Sequence, residues 1–391
     1  MSMLDQAKQL QGEMSRLRRD IHAHPELAFQ EVRTAQLVAD TLSEIGGIEI
    51  RTNVGITGVV GSIGTGDGPT IGIRADMDAL PILENSGVAF TSQVAGTMHA
   101  CGHDAHTAIL LGAAHLLKQE FAKGTLKGNV RFLFQPAEEL GGDGVSGAPK
   151  MIADGAMVGI DHVIALHVDA DTPLGTVKLV RGPVTAAADA FKAWVRAAGG
   201  HGAYPHNGGD PLAMTAAIIT ALNGIVSRKI NPMKQAVCSL GIVQAGTAFN
   251  IIPAEVYFAG TLRSFDPEVR QQLFDEVERA FSLAKGMGGD YQVEIIKGYP
   301  AGHNDPTVAQ WMDDVASEYV GATTVDRVTK GMAGEDFAYM QQLAPGAMMM
   351  LGAAVGDKPR SHHTPVFDID ERCMPLGAAI LAETVKRYLT K

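Results

Sequence analysis

The sequence predicts an α/β fold, a mainly parallel sheet flanked by helices, interrupted by an inserted domain of ferredoxin-like β-α-β-β-α-β order. Three observations predict it. Short apolar runs bounded by Gly, Pro or charge alternate with helical periodicity over the first ~180 residues. Polar groups gather directly after those runs, at the carboxyl ends of strands, where open α/β sheets place ligands. From about Val184 the order changes, and the first pattern resumes after Tyr299-Pro300.

Taken in order, Gly58 to Ile63, Thr70 to Arg74, Asn129 to Phe134 and His162 to Leu166 read as buried strands. Glu31 to Ile45, Ala105 to Gln119 and roughly Gly147 to Asp154 read as helices. In the insert, Val184 to Ala197, Gln235 to Val243, Glu255 to Arg263 and Tyr291 to Lys297 read as strands, with helices at Pro211 to Ser227 and Pro267 to Lys285. Helices at Thr307 to Tyr319 and Glu335 to Leu343, a strand around Ala347 to Leu351 and a last helix at Pro375 to Tyr388 complete the chain. The Gly/Pro joints near Gly182-Pro183 and Gly298-Tyr299-Pro300 set the expected boundaries: a catalytic domain of residues 1–182 and 300–391, and an insert of residues 183–299.

Composition narrows the function. A formal net charge of −11 without a Lys/Arg run argues against nucleic acid and anionic membranes as partners. Arg16, Arg18 and Arg19 read as one face of the first helix. Met1 to Asp20 carries charges throughout and has no apolar core of signal-peptide length, and no stretch reads as a membrane span, so the expected compartment is the cytoplasm. Three scattered cysteines form no disulfide framework.

The run His99-Ala100-Cys101-Gly102-His103-Asp104-Ala105-His106 concentrates three His, a Cys and an Asp in eight residues. A thiolate and an imidazole two positions apart, opening an apolar helix, can face one ion. The plainer reading is an inert Cys followed by a helix-capping Asp104. Gln135-Pro136-Ala137-Glu138-Glu139 puts two carboxylates pointing in different directions at a strand end, so that one can bind a metal while the other handles protons. Asp76 reads either as a carboxylate orienting a histidine ligand or as a turn residue. His167, and His362-His363-Thr364-Pro365, add imidazoles from distant sequence. In the insert, His201 sits on a Gly-rich turn, and Asn250 and Arg263 supply groups suited to an oxyanion and a carboxylate.

Together these segments, from Arg18-Arg19-Asp20-Ile21-His22-Ala23-His24-Pro25-Glu26-Leu27 to the final helix, resemble the aminoacylase/carboxypeptidase family of di-metal hydrolases, in its hippurate and indoleacetyl-amino-acid hydrolase branch. The resemblance implies metal-dependent cleavage of the amide bond of N-acyl amino acids by two divalent ions, Zn²⁺ or Mn²⁺, with Co²⁺ or Ni²⁺ as alternatives. It implies Cys101, His103, Glu139, His167 and His363 as ligands, with the Cys101 thiolate bridging, and Glu138 as general base. His363 is preferred to His362 because it precedes a small residue and Pro. His201 matches a histidine that holds the oxyanion from the partner subunit of a dimer formed through the insert, and Asn250 and Arg263 match substrate positions. His22, His24 and Asp336 in Gly334-Glu335-Asp336-Phe337 are read as structural. The segment Leu140 to Ser146 departs from the family pattern in being slightly extended. The alternatives are a dipeptidase, an N-acyl-diaminopimelate deacylase, or a catalytically silent binding homologue.

Overall fold

In the computed structural model, which describes residues 1–141, 145–356 and 359–390, the apolar runs become the centre of an eight-stranded sheet. Its order is Glu49–Val54, Gly58–Gly64, Asn129–Gln135, Thr70–Asp76, His162–Asp169, Gly346–Gly352, Val177–Lys178, Val325–Asp326. The four strands from Asn129–Gln135 to Gly346–Gly352 are mutually parallel. Antiparallel partners flank them on either side. Thr70–Asp76 is buried at every position after the first, as expected of a parallel strand covered on both faces. Phe132 and Phe134 are fully buried and contribute about 1.5–3 kcal/mol each.

Helix His103–Ala122 is apolar nearly all round because it is enclosed: it packs on the sheet, on helix Gln11–Ala23 and on helix Met374–Leu389. These elements belong to one of two compact units, which comprises Met1–Val184, His303–Lys330 and Asp336–Lys391.

The other unit comprises Thr185–Gly302 and Gly331–Glu335. Its four-stranded sheet has the order Ala236–Ala245, Glu255–Ser264, Ala187–Arg196, Asp290–Tyr299 and is antiparallel throughout. Ala187–Arg196 alternates buried and half-buried residues, so one face carries the core. Helices Pro211–Arg228 and Pro267–Phe281 cover that face through Ile218, Leu222, Val277 and Phe281. Each helix starts with Asp before Pro, and the Asp210 and Asp266 carboxylates accept from the first backbone N–H groups. Contrary to the sequence reading, Pro211–Arg228 is long and apolar enough to cross a membrane. A stripe of Met214, Ile218, Leu222 and Ile225 packs into the unit's core, while Leu212 and Val226 are exposed.

Several elements differ from expectation. The strand expected to end at Leu166 runs on to Asp169, so His167 lies inside it. The helix expected over Glu335 to Leu343 is the short Phe337–Gln341. Arg16, Arg18 and Arg19 do not share one environment: Arg16 and Arg19 are exposed, whereas Arg18 is fully buried, paired with Asp104, Asp368 and Glu371.

Candidate metal centre

Four segments converge at the carboxyl ends of the parallel strands. Cys101 and His103 open helix His103–Ala122, where Gly102 takes φ 94°. A left-handed residue there lets the chain turn sharply and present both side chains. Glu138 and Glu139 follow strand Asn129–Gln135. His167 projects from strand His162–Asp169, and His363 comes from the segment after Gly346–Gly352. Ala137 and His363 are both non-glycine residues at positive φ, 51° and 58°, so strained backbone flanks the site.

The donor atoms form overlapping triads. Those of Cys101, His103 and His167 lie within 4.8 Å of one another, and so do those of Cys101, Glu139 and His363, and of His103, Glu138 and Glu139. Cys101 Sγ is 3.4 Å from His167 Nε2. Two ligands of one tetrahedral ion, at bonds of about 2.0–2.3 Å, stand about 3.4–3.6 Å apart. Glu139 Oε1 is 3.0 Å from His363 Nε2 and 4.0 Å from His103 Nε2, yet aligned with neither for a hydrogen bond.

In His103 and His167 the second ring nitrogen is already engaged. His103 Nδ1 donates to the Asp78 carbonyl at 2.8 Å and lies 3.2 Å from its carboxylate, leaving Nε2 buried with no hydrogen-bond partner. His167 Nδ1 donates to the Val168 carbonyl at 2.6 Å. His106 is different: Nδ1 donates to Asp76 at 2.6 Å and Nε2 accepts from Val168 N at 2.8 Å, so neither nitrogen is left for an ion. His362 Nε2 accepts from Ala170 N while its Nδ1 is buried without a hydrogen-bond partner; His363 is the ring whose Nε2 faces Glu139, at 3.0 Å.

Electrostatics point the same way. Burial opposes protonation of His103, but Asp76 and Asp78 outweigh it and raise the ring to about 10. Burial would raise Asp76, yet Arg74, His103 and His106 hold it well below the usual carboxylate range. Burial, with Glu139 and Glu138 nearby, pushes the Cys101 thiol up, whereas burial pulls His167 down. An orphaned imidazole nitrogen within an acidic, buried cluster calls for positive charge, and the Cys/His/Glu donor set fits a divalent cation.

Two readings of this region change. Asp104 does not cap its helix: already inside the first turn, its carboxylate points sideways to Arg18 Nε (2.9 Å) and His22 Nδ1 (2.7 Å). Asp76 orients His106, and the ring of His103 is held by Asp78, which the sequence reading passed over. His22 and Asp336 are buried in hydrogen-bonded pairs, and His24 donates to Asp20 O. Gly142, Asp143 and Gly144 of the extended segment lie outside the described residues.

His201, Asn250 and Arg263 belong to the second unit. Ile251 pairs with His201, which brings the His201 and Asn250 segments together, both exposed. His201 Nδ1 accepts from Ala203 N, so the ring proton sits on Nε2 as a potential donor. Arg263 turns Nη1 back onto Leu262 O, Asp189 O and the Thr261 hydroxyl.

Known proteins resemble the chain over nearly its whole length. Residues 72–387 match the model of Peptidase family M20/M25/M40. The chain is 41% identical to N-acetyl-L-cysteine deacetylase of Bacillus subtilis, over 97% of this chain and 89% of that one. It is 36% identical to IAA-amino acid hydrolase ILR1-like 4 of Arabidopsis thaliana, over 95% and 85%. The solved structure of the Bacillus subtilis YXEP protein, described as a dinuclear metal binding peptidase of the M20 family, superposes with a TM-score of 0.84 at 35% identity, covering 98% of this chain and 99% of that one. A match of this extent, over a fold and donor cluster of this kind, means that the chain belongs to Peptidase family M20/M25/M40 and is an amidohydrolase.

Proposed function

We propose that this enzyme hydrolyses the amide bond of N-acyl amino acids, releasing a carboxylic acid and a free amino acid, and that it holds two divalent cations. The observation that carries the reading is that two donor triads share Cys101 Sγ while the buried Glu138 carboxylate joins His103 and Glu139. His103 and His167 would hold one ion, Glu139 and His363 the other, with Cys101 common to both. Zn²⁺ suits a Cys/His/Glu set, and Mn²⁺, Co²⁺ and Ni²⁺ are accepted by the same imidazoles and carboxylates.

When bound, such ions polarise a carbonyl and lower the pKa of a water. Glu138 takes the proton from the attacking water and passes it to the leaving amine nitrogen. On the sequence resemblance, His201 donates to the oxyanion from a partner subunit, and Asn250 or Arg263 receives the amino acid's carboxylate. A homodimer through the insert is consistent with the exposed edge strand Ala236–Ala245, where Ile242 and Val243 face solvent. Sedimentation of the metal-loaded protein as a monomer would exclude it.

The relatives' names support acetylated and indoleacetylated amino acids as the substrate class. The test is a hydrolysis panel of benzoyl, indoleacetyl, acetyl, long-chain acyl and peptidyl amino acids on protein reconstituted with each ion. Cleavage of acylated members is expected. Cleavage confined to peptidyl members would make the enzyme a dipeptidase. Glu138→Gln should keep its metals and lose about 10²–10⁴-fold in turnover; full activity in that variant would sink the assignment.

A further inference from the structure

Ala137, the residue before Glu138, occupies a left-handed conformation that L-residues adopt only when their surroundings enforce it. Both of its backbone groups are held. Its carbonyl accepts from Gly147 N at 3.0 Å, and its N–H donates to Glu31 Oε1 at 2.8 Å across 106 residues of sequence. The turn has no slack on the Gly147 side, where an added Cβ would stand 1.6 Å from Pro136 O.

Glu31 is fully buried, and two of its three bonds go to backbone at positive φ. Oε1 also accepts from Phe29 N at 3.0 Å, and Phe29 has φ 60°. Oε2 accepts from the Thr57 hydroxyl, next to Ile56 at φ 85°. Three of the five non-glycine residues with positive φ among the described residues are therefore bonded to this carboxylate or adjacent to its partner. Glu31 stands at the N-cap of helix Val32–Ile45 yet makes no capping bond. Glu26 accepts from Arg33 N and Thr34 N instead, so the Glu31 side chain is released from that task. Among the described residues no charged donor bonds to it, so an ion pair does not account for its place.

We propose that Glu31 is a positioning residue for hydrolysis: by holding the strained N–H of Ala137 it fixes the direction in which Glu138 and Glu139 leave the strand end. The inference rests on Glu138 being the general base. Charge is not what the role needs. A glutamine can keep its oxygen on both N–H groups and donate its amide to the Thr57 hydroxyl, which can also accept.

The test compares Glu31→Ala, Glu31→Asp and Glu31→Gln, each reconstituted and assayed for metal content, melting temperature, kcat and KM on N-acetyl- and N-benzoyl-amino acids. Glu31→Ala should keep its metals and lose about 100-fold in kcat with KM little changed, as a shift of about 1 Å in a reacting group costs. Glu31→Asp, whose oxygens are withdrawn by one methylene, should lose kcat in the same sense, and it carries the test if the alanine variant fails to fold. Glu31→Gln should stay close to wild type. Ala137→Gly added to Glu31→Ala should recover part of kcat, because glycine takes the left-handed conformation unaided. The proposal is overturned if Glu31→Ala or Glu31→Asp lowers the melting temperature while kcat stays at wild type, or if Glu31→Gln is as impaired as Glu31→Ala. Glu138→Gln, run alongside, separates the two levels. If it is fully active, the base assignment falls; if it is inactive while Glu31→Asp keeps its kcat, only the positioning role falls.

Discussion

His103 offers Nε2 to an ion because Asp78 has already taken Nδ1, and Asp78 does a second job. Its Oδ2 accepts from Glu139 N at 2.9 Å, so one aspartate holds an imidazole, through its carbonyl and its carboxylate, and fixes the backbone of a proposed carboxylate ligand. Groups behind a metal-binding histidine are typically worth about 10–100-fold in affinity. Asp78→Ala keeps the carbonyl but removes the carboxylate from both His103 and Glu139 N, and is expected to weaken metal binding by about 10–100-fold, read by competition with a chromophoric chelator; wild-type affinity would refute the carboxylate's part. At this scale the sequence is legible where several ligand types crowd together, as at Cys101 and His103, or where a pattern is repeated, as at Glu138-Glu139. It is not legible for Asp78 and Asp76, two positions apart in one turn, because which of them meets which ring depends on how strand Thr70–Asp76 ends. Nor could the sequence remove His106 from the candidates. That follows from the Val168 N–H, 62 residues away. Glu31 is invisible for the same reason: two of its three partners, Thr57 and Ala137, lie 26 and 106 residues away.

Helix His103–Ala122 begins with Gly102 and has no side-chain cap. An alanine there would combine a left-handed φ with a Cβ 2.3 Å from Val168 Cγ2. Strain of about 1–3 kcal/mol from the backbone adds to overpacking of about 1–3 kcal/mol. Gly102→Ala should therefore lower stability by several kcal/mol and displace Cys101 and His103, giving a lower urea midpoint and reduced metal content; an unchanged midpoint would refute the close approach. The long elements are legible because burial on all sides leaves apolar runs, as in Phe132 to Phe134 and in Ala108 to Ala114 of this helix. The edges are not. Glu49–Val54 buries a single residue, and Val177–Lys178 and Val325–Asp326 are too short to show a period, so the outer strands beyond Gly58–Gly64 and Gly346–Gly352 have no pattern to betray them.

Across the whole molecule, the proposed ligands run from Cys101 to His363, so an ion held by both ends of that span binds the folded chain and hardly the unfolded one. A cation present at about 100 times its dissociation constant would then add about 2.7 kcal/mol to stability. Removal by chelator is expected to lower the melting temperature, and readdition to restore it; a midpoint indifferent to chelator would mean that these groups bind no ion in the folded state. The overall architecture was legible because chemistry-bearing residues follow apolar runs one after another. The pairing of ligands into two triads was not, since it depends on parallel register that places distant strand ends side by side. One consequence concerns traffic. The His363 ring is 52% exposed and held in a strained conformation, while His103 is 1% exposed. The proposed centre therefore has a sealed wall and a door: an ion held beside His363 would exchange with solvent before one held beside His103 and His167.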